Sequence, residues 1–401
     1  MWNQPRVVWA VAVGRFFSSA SSFLILFLTL YLTGPRGMGV VAAGLLAGTA
    51  GIGWLAGSFT GGRWGDQHGH RRTALAASTG SGLLVATVPV QPVWFLCATL
   101  PVSTYLAATA GVSLGALTAL AVERGNRRTM VAISRAASNA GFVIGPPLGA
   151  LLAVWSYDAL FVADGGMLLL VRCALAPLLP DVKPVVEGPR TGFLAALRAD
   201  RALLRLLGAV VVVDVVYRQL YSTVPLHLRD SGMPLGLYAA LVAIGSGLIL
   251  ALEIPVALRL RGCSSYPIIA AGYALVGLGF ALFGLPVSVA TAVLAMVVLT
   301  AGEILYKTTA TAHVLDAAPD HLVGRYQGLY NGASTSGSLL AAPIGAALYA
   351  VAPGLLWPLL GVLGVGAAVS VYAGRPQVTP QRSPAGTRSG SRGTVPRPRA
   401  G

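Results

Sequence analysis

Residues 135–152 read RAASNAGFVIGPPLGALL, and the pattern returns once, at residues 337–348, as GSLLAAPIGAAL. Laying Pro147 on Pro343 pairs Gly141 with Gly337, Gly149 with Gly345 and Leu152 with Leu348, an offset of 343 − 147 = 196 in a chain of 401 residues. Both copies are apolar, rich in small residues and too long for a soluble core helix, so they predict matched membrane helices in two homologous halves. Two such halves around one cavity suggest a transporter. Gly141, Gly145 and Gly149 fall four apart, which draws a smooth stripe along one helix face where another backbone can approach. Pro146 and Pro147 lack an N–H and free carbonyls one turn back, so the pair predicts a kink in a helix lying against protein or a wet cavity. Packing for stability alone is the other reading of the stripe.

Composition fixes the class. The chain is 55% hydrophobic and 10% charged, with a mean hydropathy of +0.73, which excludes an ordinary soluble domain. Apolar segments long enough to cross about 30 Å of hydrocarbon run over residues 7–33, 39–61, 73–92, 94–122, 130–153 and 157–180. A second set covers 203–228, 235–258, 266–285, 287–312, 326–350 and 353–373. The expectation is an all-α polytopic membrane protein of about twelve helices, with halves at 1–180 and 203–373, a cytoplasmic linker at 181–202 and a disordered basic tail at 374–401. The early apolar run is an uncleaved first span, because Arg15 interrupts it and it continues past any cleavage point. Cys97, Cys173 and Cys263 suggest neither a disulfide nor a zinc site.

The net charge of +15 is unevenly placed. With the N-terminus inside, the inner segments hold Arg6, Arg63, Arg71, Arg72, Arg124, Arg127, Arg128, Lys183, Arg259, Arg261 and Arg325, while the outer loops hold only Arg36 and Arg229. This bias predicts both termini in the cytoplasm of a cell-membrane protein and argues against nucleic acid as the partner. There is no Walker loop, GxSxG or HExxH, so neither an ATP-driven pump nor a membrane hydrolase is indicated, and no cofactor or metal is expected.

Residues 62–72, GRWGDQHGHRR, form a dense polar segment between nearly uncharged spans. Gly62 and Gly69 are expected to permit a tight turn and close helix approach, Asp66 to accept backbone N–H bonds at a helix start, and Arg71 and Arg72 to hold the inner surface. The spacing of Gly62, Asp66, Gly69 and Arg71 resembles the second inner loop of the major facilitator superfamily, with Gln67 and His70 departing from its usual basic choices. The run Gly141, Gly145, Pro146, Gly149 looks like the fifth-span motif of that superfamily's twelve-span drug/proton antiporters, Ala150 replacing the usual last glycine. The resemblance covers the chain up to Tyr372. It implies a non-enzymatic carrier, a cavity lined by the first, fourth, seventh and tenth spans, and a latch in which Asp66 meets the helix beginning near Arg325.

Ionisable residues inside spans are costly, so each is a site candidate unless a partner explains it. The seventh span reads DVVYR over residues 214–218 and the tenth reads EILYK over 303–307, one shared pattern of acid, tyrosine and base on one helix face. Asp214 and Glu303 are the expected proton-coupling pair. Arg15, Tyr105, Tyr217, Arg218, Tyr221, Tyr306 and Lys307 are the expected substrate cavity. Two internal salt bridges without a proton role are the alternative. Asp164, Glu253 and Arg135 are read as structural or interfacial. The resemblance of the fifth-span motif thus implies an exporter of small drug-like molecules by proton antiport, expected to work as a monomer in the bilayer, and the excess of bases over acids points to neutral or acidic substrates. The alternatives are a proton-coupled uptake permease of the same fold and a non-transporting receptor.

Overall fold

The computed structural model describes residues 4–181 and 200–375. The expected amphipathic turn at residues 193–197 and nearly all of the basic tail lie outside the described residues. Every regular element described is helical. The first half contains α1 (Arg6–Ala20), α2 (Phe23–Thr33), α3 (Val40–His68), α4 (His70–Ala86), α5 (Val93–Leu120), α6 (Arg127–Trp155) and α7 (Tyr157–Leu175). The second contains α8 (Arg201–Asp230), α9 (Leu235–Arg259), α10 (Ser265–Leu282), α11 (Val289–Ala317), α12 (Val323–Val351) and α13 (Pro353–Ala373). Because α1 and α2 are two pieces of one crossing, these thirteen helices make twelve passes. Among the described residues, eight helices are long and apolar enough to cross a membrane on length and composition alone. The chain is a multi-pass membrane protein.

The 196-residue offset read from two glycine-proline runs describes the whole fold. Applied to the ends of α6 it gives 323–351, the bounds of α12; applied to α5 and α7 it gives 289–316 and 353–371, within two residues of α11 and α13. Packing repeats as well. A Cβ on Gly141 would collide with the Phe16 carbonyl, Ser19 and Ala20, and one on Gly337 would collide with the Val211 carbonyl and Asp214 and press on Val215, the same neighbourhood shifted by 195 residues, within one of the offset. Gly149 faces Phe23 and Phe27, and Gly345 faces Gln219, again an offset pair of 23 and 219. The glycine stripes therefore seat α6 on the first span and α12 on the seventh. Pro146 and Pro147 are exposed on the opposite side of α6 from the buried glycines, and the helix is unbroken through them. The stripe, not the prolines, carries the packing.

Two sequence expectations need correction. The segment 62–72 is not a loop: α3 runs to His68 and α4 starts at His70, leaving Gly69 alone between them at φ 91°. Only glycine takes that backbone angle without strain, so Gly69 makes the turn and Gly62 does not. Gly62 instead lets α3 touch α12, where an added Cβ would strike the Gly324 carbonyl. The first span, expected to be continuous, breaks at Ser21 and Ser22.

Gly141→Leu should therefore unseat α6 from the first span, lowering stability by about 1–3 kcal/mol and abolishing transport while the chain still inserts. Gly366→Ala, where a Cβ meets nothing within 4 Å, should be neutral. Thermal unfolding in detergent with a membrane-insertion assay separates the two outcomes.

Candidate functional site

At the end of the bundle that carries Asp66 the two halves are fastened together. The Asp66 carboxylate accepts from the backbone N–H of Gly324 at 2.9 Å and of Arg325 at 3.1 Å, at the start of α12. His70 Nε2 lies 3.2 Å from the same carboxylate and Arg325 Nε 3.6 Å. A carboxylate at a helix N-terminus satisfies orphan donors and sits well in the helix dipole. The place related to Asp66 by the offset is Gly262, and there the polarity is reversed. Arg128, at the start of α6, donates to the carbonyls of Leu260 and Cys263 and to Ser265 Oγ, while Arg261 donates to Asn126. Arg124 adds bonds to the Ala318 carbonyl and to Asp320, each at 3.1 Å. Arg71 bonds the Ala176 carbonyl at 2.8 Å within its own half, and Arg72 is exposed.

Deeper in the bundle the acid, tyrosine and base stripes of α8 and α11 interlock crosswise. Tyr217 of α8 donates its hydroxyl to Glu303 of α11 at 2.7 Å, and Tyr306 of α11 reaches back to Asp214 of α8 at 3.5 Å. Both acids are buried. At about 1.5 Å per residue from the ends of their helices, both lie about 20 Å from the Asp66 end. Lys307 stands 3.4 Å from Glu303 and 3.7 Å over the Tyr217 ring. The corresponding Asp214–Arg218 pair is not formed. Arg218 is exposed and donates to Ser338 at 2.9 Å, beside the exposed Tyr221.

The cation that completes the cluster comes from the other half. Arg135 of α6 donates through Nε to Glu253 of α9 and through Nη2 to Glu303 at 3.2 Å, and Thr308 also donates to Glu253. Glu253, read from sequence as interfacial, is 1% exposed, and Arg135 points into the bundle rather than to the inner surface. Sequence reasoning missed this bridge because it sought partners one turn away. The usable signal was an acid without a base on its own turn in one half and a base without an acid in the other, since charges left over in a membrane have to find each other.

A polar cavity of about 230 Å³ lies against this cluster between the halves, lined among others by Arg15, Arg135, Lys307, Gln327, Asn331 and Tyr330. Of the side chains expected in the cavity, Arg15 and Lys307 line it. Tyr217 and Tyr306 are buried behind it, as hydrogen-bond partners of the two acids. Tyr105 bonds Thr60 at 3.0 Å and faces neither this cavity nor the next. Arg15 also lines a second space of about 320 Å³ inside the first half, rich in serine hydroxyls, and it donates to the Gly111 carbonyl at 3.5 Å. Among the described residues no carboxylate pairs with it. A larger crevice of about 570 Å³ between α1, α2, α6 and α7 is apolar and holds no charged side chain.

Asp66→Ala should loosen the fastened end, so that cysteines placed on α3 and α12 there become more accessible to a water-soluble thiol reagent while substrate affinity holds. Arg135→Ala should cost about 3–5 kcal/mol by stranding buried carboxylates, and Arg135→Ala with Glu253→Gln should recover part of that loss in a thermal-unfolding double-mutant cycle.

Similar proteins share this arrangement of helices. A human organic anion transporter, MFSD10 (TETRAN), superposes with a TM-score of 0.75 at 17% identity, covering 91% of this chain and 99% of that one. The proton:xylose symporter XylE, bound to 6-bromo-6-deoxy-D-glucose, superposes with a TM-score of 0.73 at 14% identity, covering 92% and 94%. In sequence, the MFS-type transporter YttB of Bacillus subtilis (strain 168), itself uncharacterized, is 24% identical over 366 residues, 86% of this chain and 88% of that protein. Residues 11–342 match the Major Facilitator Superfamily, and the chain is a member of that family of transporters.

Proposed function

We propose that this transporter exports small neutral or acidic organic molecules from the cell in exchange for protons, acting as a monomer in the cell membrane with Glu303 as the proton carrier. The observation that carries the reading is the bridge from Arg135 in one half to Glu303 in the other. Ionised, Glu303 pulls α6 and α11 together and favours the packing fastened at the Asp66 end, which the arginine bias puts in the cytoplasm. A proton arriving from outside removes the charge that Arg135 and Lys307 face, and the fastened end can open. Loss of that proton to the cytoplasm restores the bridge and returns the cavity, now loaded, to the outside. Protons move in and substrate moves out. Asp214, hydrogen-bonded to Tyr306 and without an ion pair among the described residues, is the second carboxylate of the proposed coupling pair.

The substrate's charge follows from the lining. Arg15, Arg135 and Lys307 meet the 230 Å³ cavity, whereas its neighbouring acids are already engaged or buried behind it. A lipophilic cation would be repelled where water is scarce. The organic-anion specificity named for MFSD10 is in keeping with this.

Proton-coupled uptake is the second reading, and one feature favours it. An anion docked on Lys307 and Arg135 would compete with Glu303 for them and so promote its protonation, which ties substrate and proton to the same direction. Inside-out vesicles separate the two. Under the exchange reading an outward proton leak accompanies loading of an acidic substrate, and Glu303→Gln binds substrate but no longer concentrates it on a pH gradient. Asp214→Asn should lose coupling less completely. Concentrative transport by Glu303→Gln vesicles would place the carrier elsewhere.

A further inference from the structure

At the break in the first span a side chain from another helix meets the backbone. Asp164 of α7 is 4% exposed, and its Oδ2 accepts from the Leu24 N–H at 2.9 Å, at the first turn of α2. In an unbroken helix that N–H would go to the Ala20 carbonyl. The neighbouring backbone groups have been reassigned to fit. Ser22 Oγ donates to the Ser18 carbonyl at 2.8 Å, Ser22 N–H goes to the Ser19 carbonyl, and the Ala20 carbonyl faces Gly145, where a Cβ would stand only 3.0 Å away. The glycine stripe thus leaves room for a break that contains neither proline nor glycine.

The second half supplies an internal control. By the 196-residue offset Asp164 corresponds to Leu360, and Ser21 and Ser22 correspond to Tyr217 and Arg218. There the span is continuous, α8 running unbroken from Arg201 to Asp230. Where the acid is present the span is broken; where leucine replaces it the span is whole.

We infer that Asp164 is a proton-binding residue of the transport cycle: its ionised carboxylate holds the first span open at Ser21 and Ser22, and its protonation lets the span anneal. A charged acceptor binds an N–H about twice as strongly as a neutral one, so the ionised carboxylate outcompetes the Ala20 carbonyl and the neutral acid yields to it. Asp164 lines the 320 Å³ space, which gives the proton a polar approach. Among the described residues Arg15 of α1 is the one other charged side chain lining that space; the walls from α2, α3, α4, α5 and α6 are hydroxyls, Trp54 and apolar groups. The break lies between Arg15 and the outer end of the span, so annealing re-aims the cation that borders both cavities. The transport role rests on the proton-coupled reading above; the structural switch does not.

The test uses the full chain in lipid nanodiscs, with Cys97, Cys173 and Cys263 changed to serine and spin labels at the exposed positions of Val13 and Leu30. An uninterrupted helix would hold those positions about 26 Å apart. The label distance should move toward that value on acidification, and Asp164→Asn, an uncharged isostere, should sit at the acid distance at every pH. Asp164→Glu should restore a pH response. The same response should persist in a Glu303→Gln background, so loss of coupling at Glu303 and loss of the switch are read separately. A distance independent of pH in the parent chain, or a pH response surviving in Asp164→Asn, overturns the inference.

Discussion

Arg135 holds two carboxylates of the other half at once, and much of the remaining architecture follows from having to place that guanidinium in a low-dielectric interior. A lone charge there is costly, and the cost is met only by close, well-aligned partners. Arg135 therefore needs α6 brought tightly against both α9 and α11, and α6 in turn needs a firm seat in its own half. The seat is the Gly141, Gly145, Gly149 stripe pressed onto the first span. The stripe and the ion bridge occupy different parts of one helix, and each constrains where the other can sit.

The frame is symmetric and the chemistry is not. Under the offset, Glu303 and Lys307 correspond to Ala107 and Gly111, Glu253 to Gly57 and Asp214 to Ser18. The first half keeps small and hydroxyl side chains where the second half keeps charge. Arg135, whose counterpart is Asn331, is the reciprocal contribution. A bundle whose halves match in backbone but differ in charge can rock about its pseudo-twofold axis while the acids travel with one half and their bridging cation with the other. Every change of packing then alters the distances that set the charge balance.

The scaffold was legible in the sequence because its signals are local. A run of about twenty apolar residues needs no knowledge of its neighbours, and the helix ends agree with the expected spans to within several residues except where α3 continues through the polar segment to His68. The contact of Asp66 with the start of α12 could be anticipated only by resemblance, since 258 residues separate it from Gly324. The site was half legible. The acids at 214 and 303 announced themselves as charge in apolar helices, but a helical wheel pairs each with its own base, whereas the fold keeps that pairing only for Glu303 with Lys307 and gives each acid the other helix's tyrosine. Arg135 with Glu253, and Asp164 with Leu24, are contacts across helices for which no periodicity speaks. The break in the first span was hidden for the same reason: its cause sits on α7.

The magnitudes decide whether such a cluster can drive a switch. At the Asp66 end the halves are held by individual hydrogen bonds worth about 1 kcal/mol each net, several of them at the water boundary where charge is screened. Within the membrane, Arg135 and Lys307 face Glu253 and Glu303, two positive charges against two negative. Neutralising Glu303 alone removes an attraction that, for a pair 4 Å apart at an effective dielectric constant near 20, amounts to about 4 kcal/mol. Carrying a two-state equilibrium from one side to the other takes about 5.5 kcal/mol. One proton is thus of the right size to tip the bundle when joined by one or two of the weaker contacts at the fastened end. It is not large enough to lock the bundle in either state, and a transporter that has to return could not work otherwise.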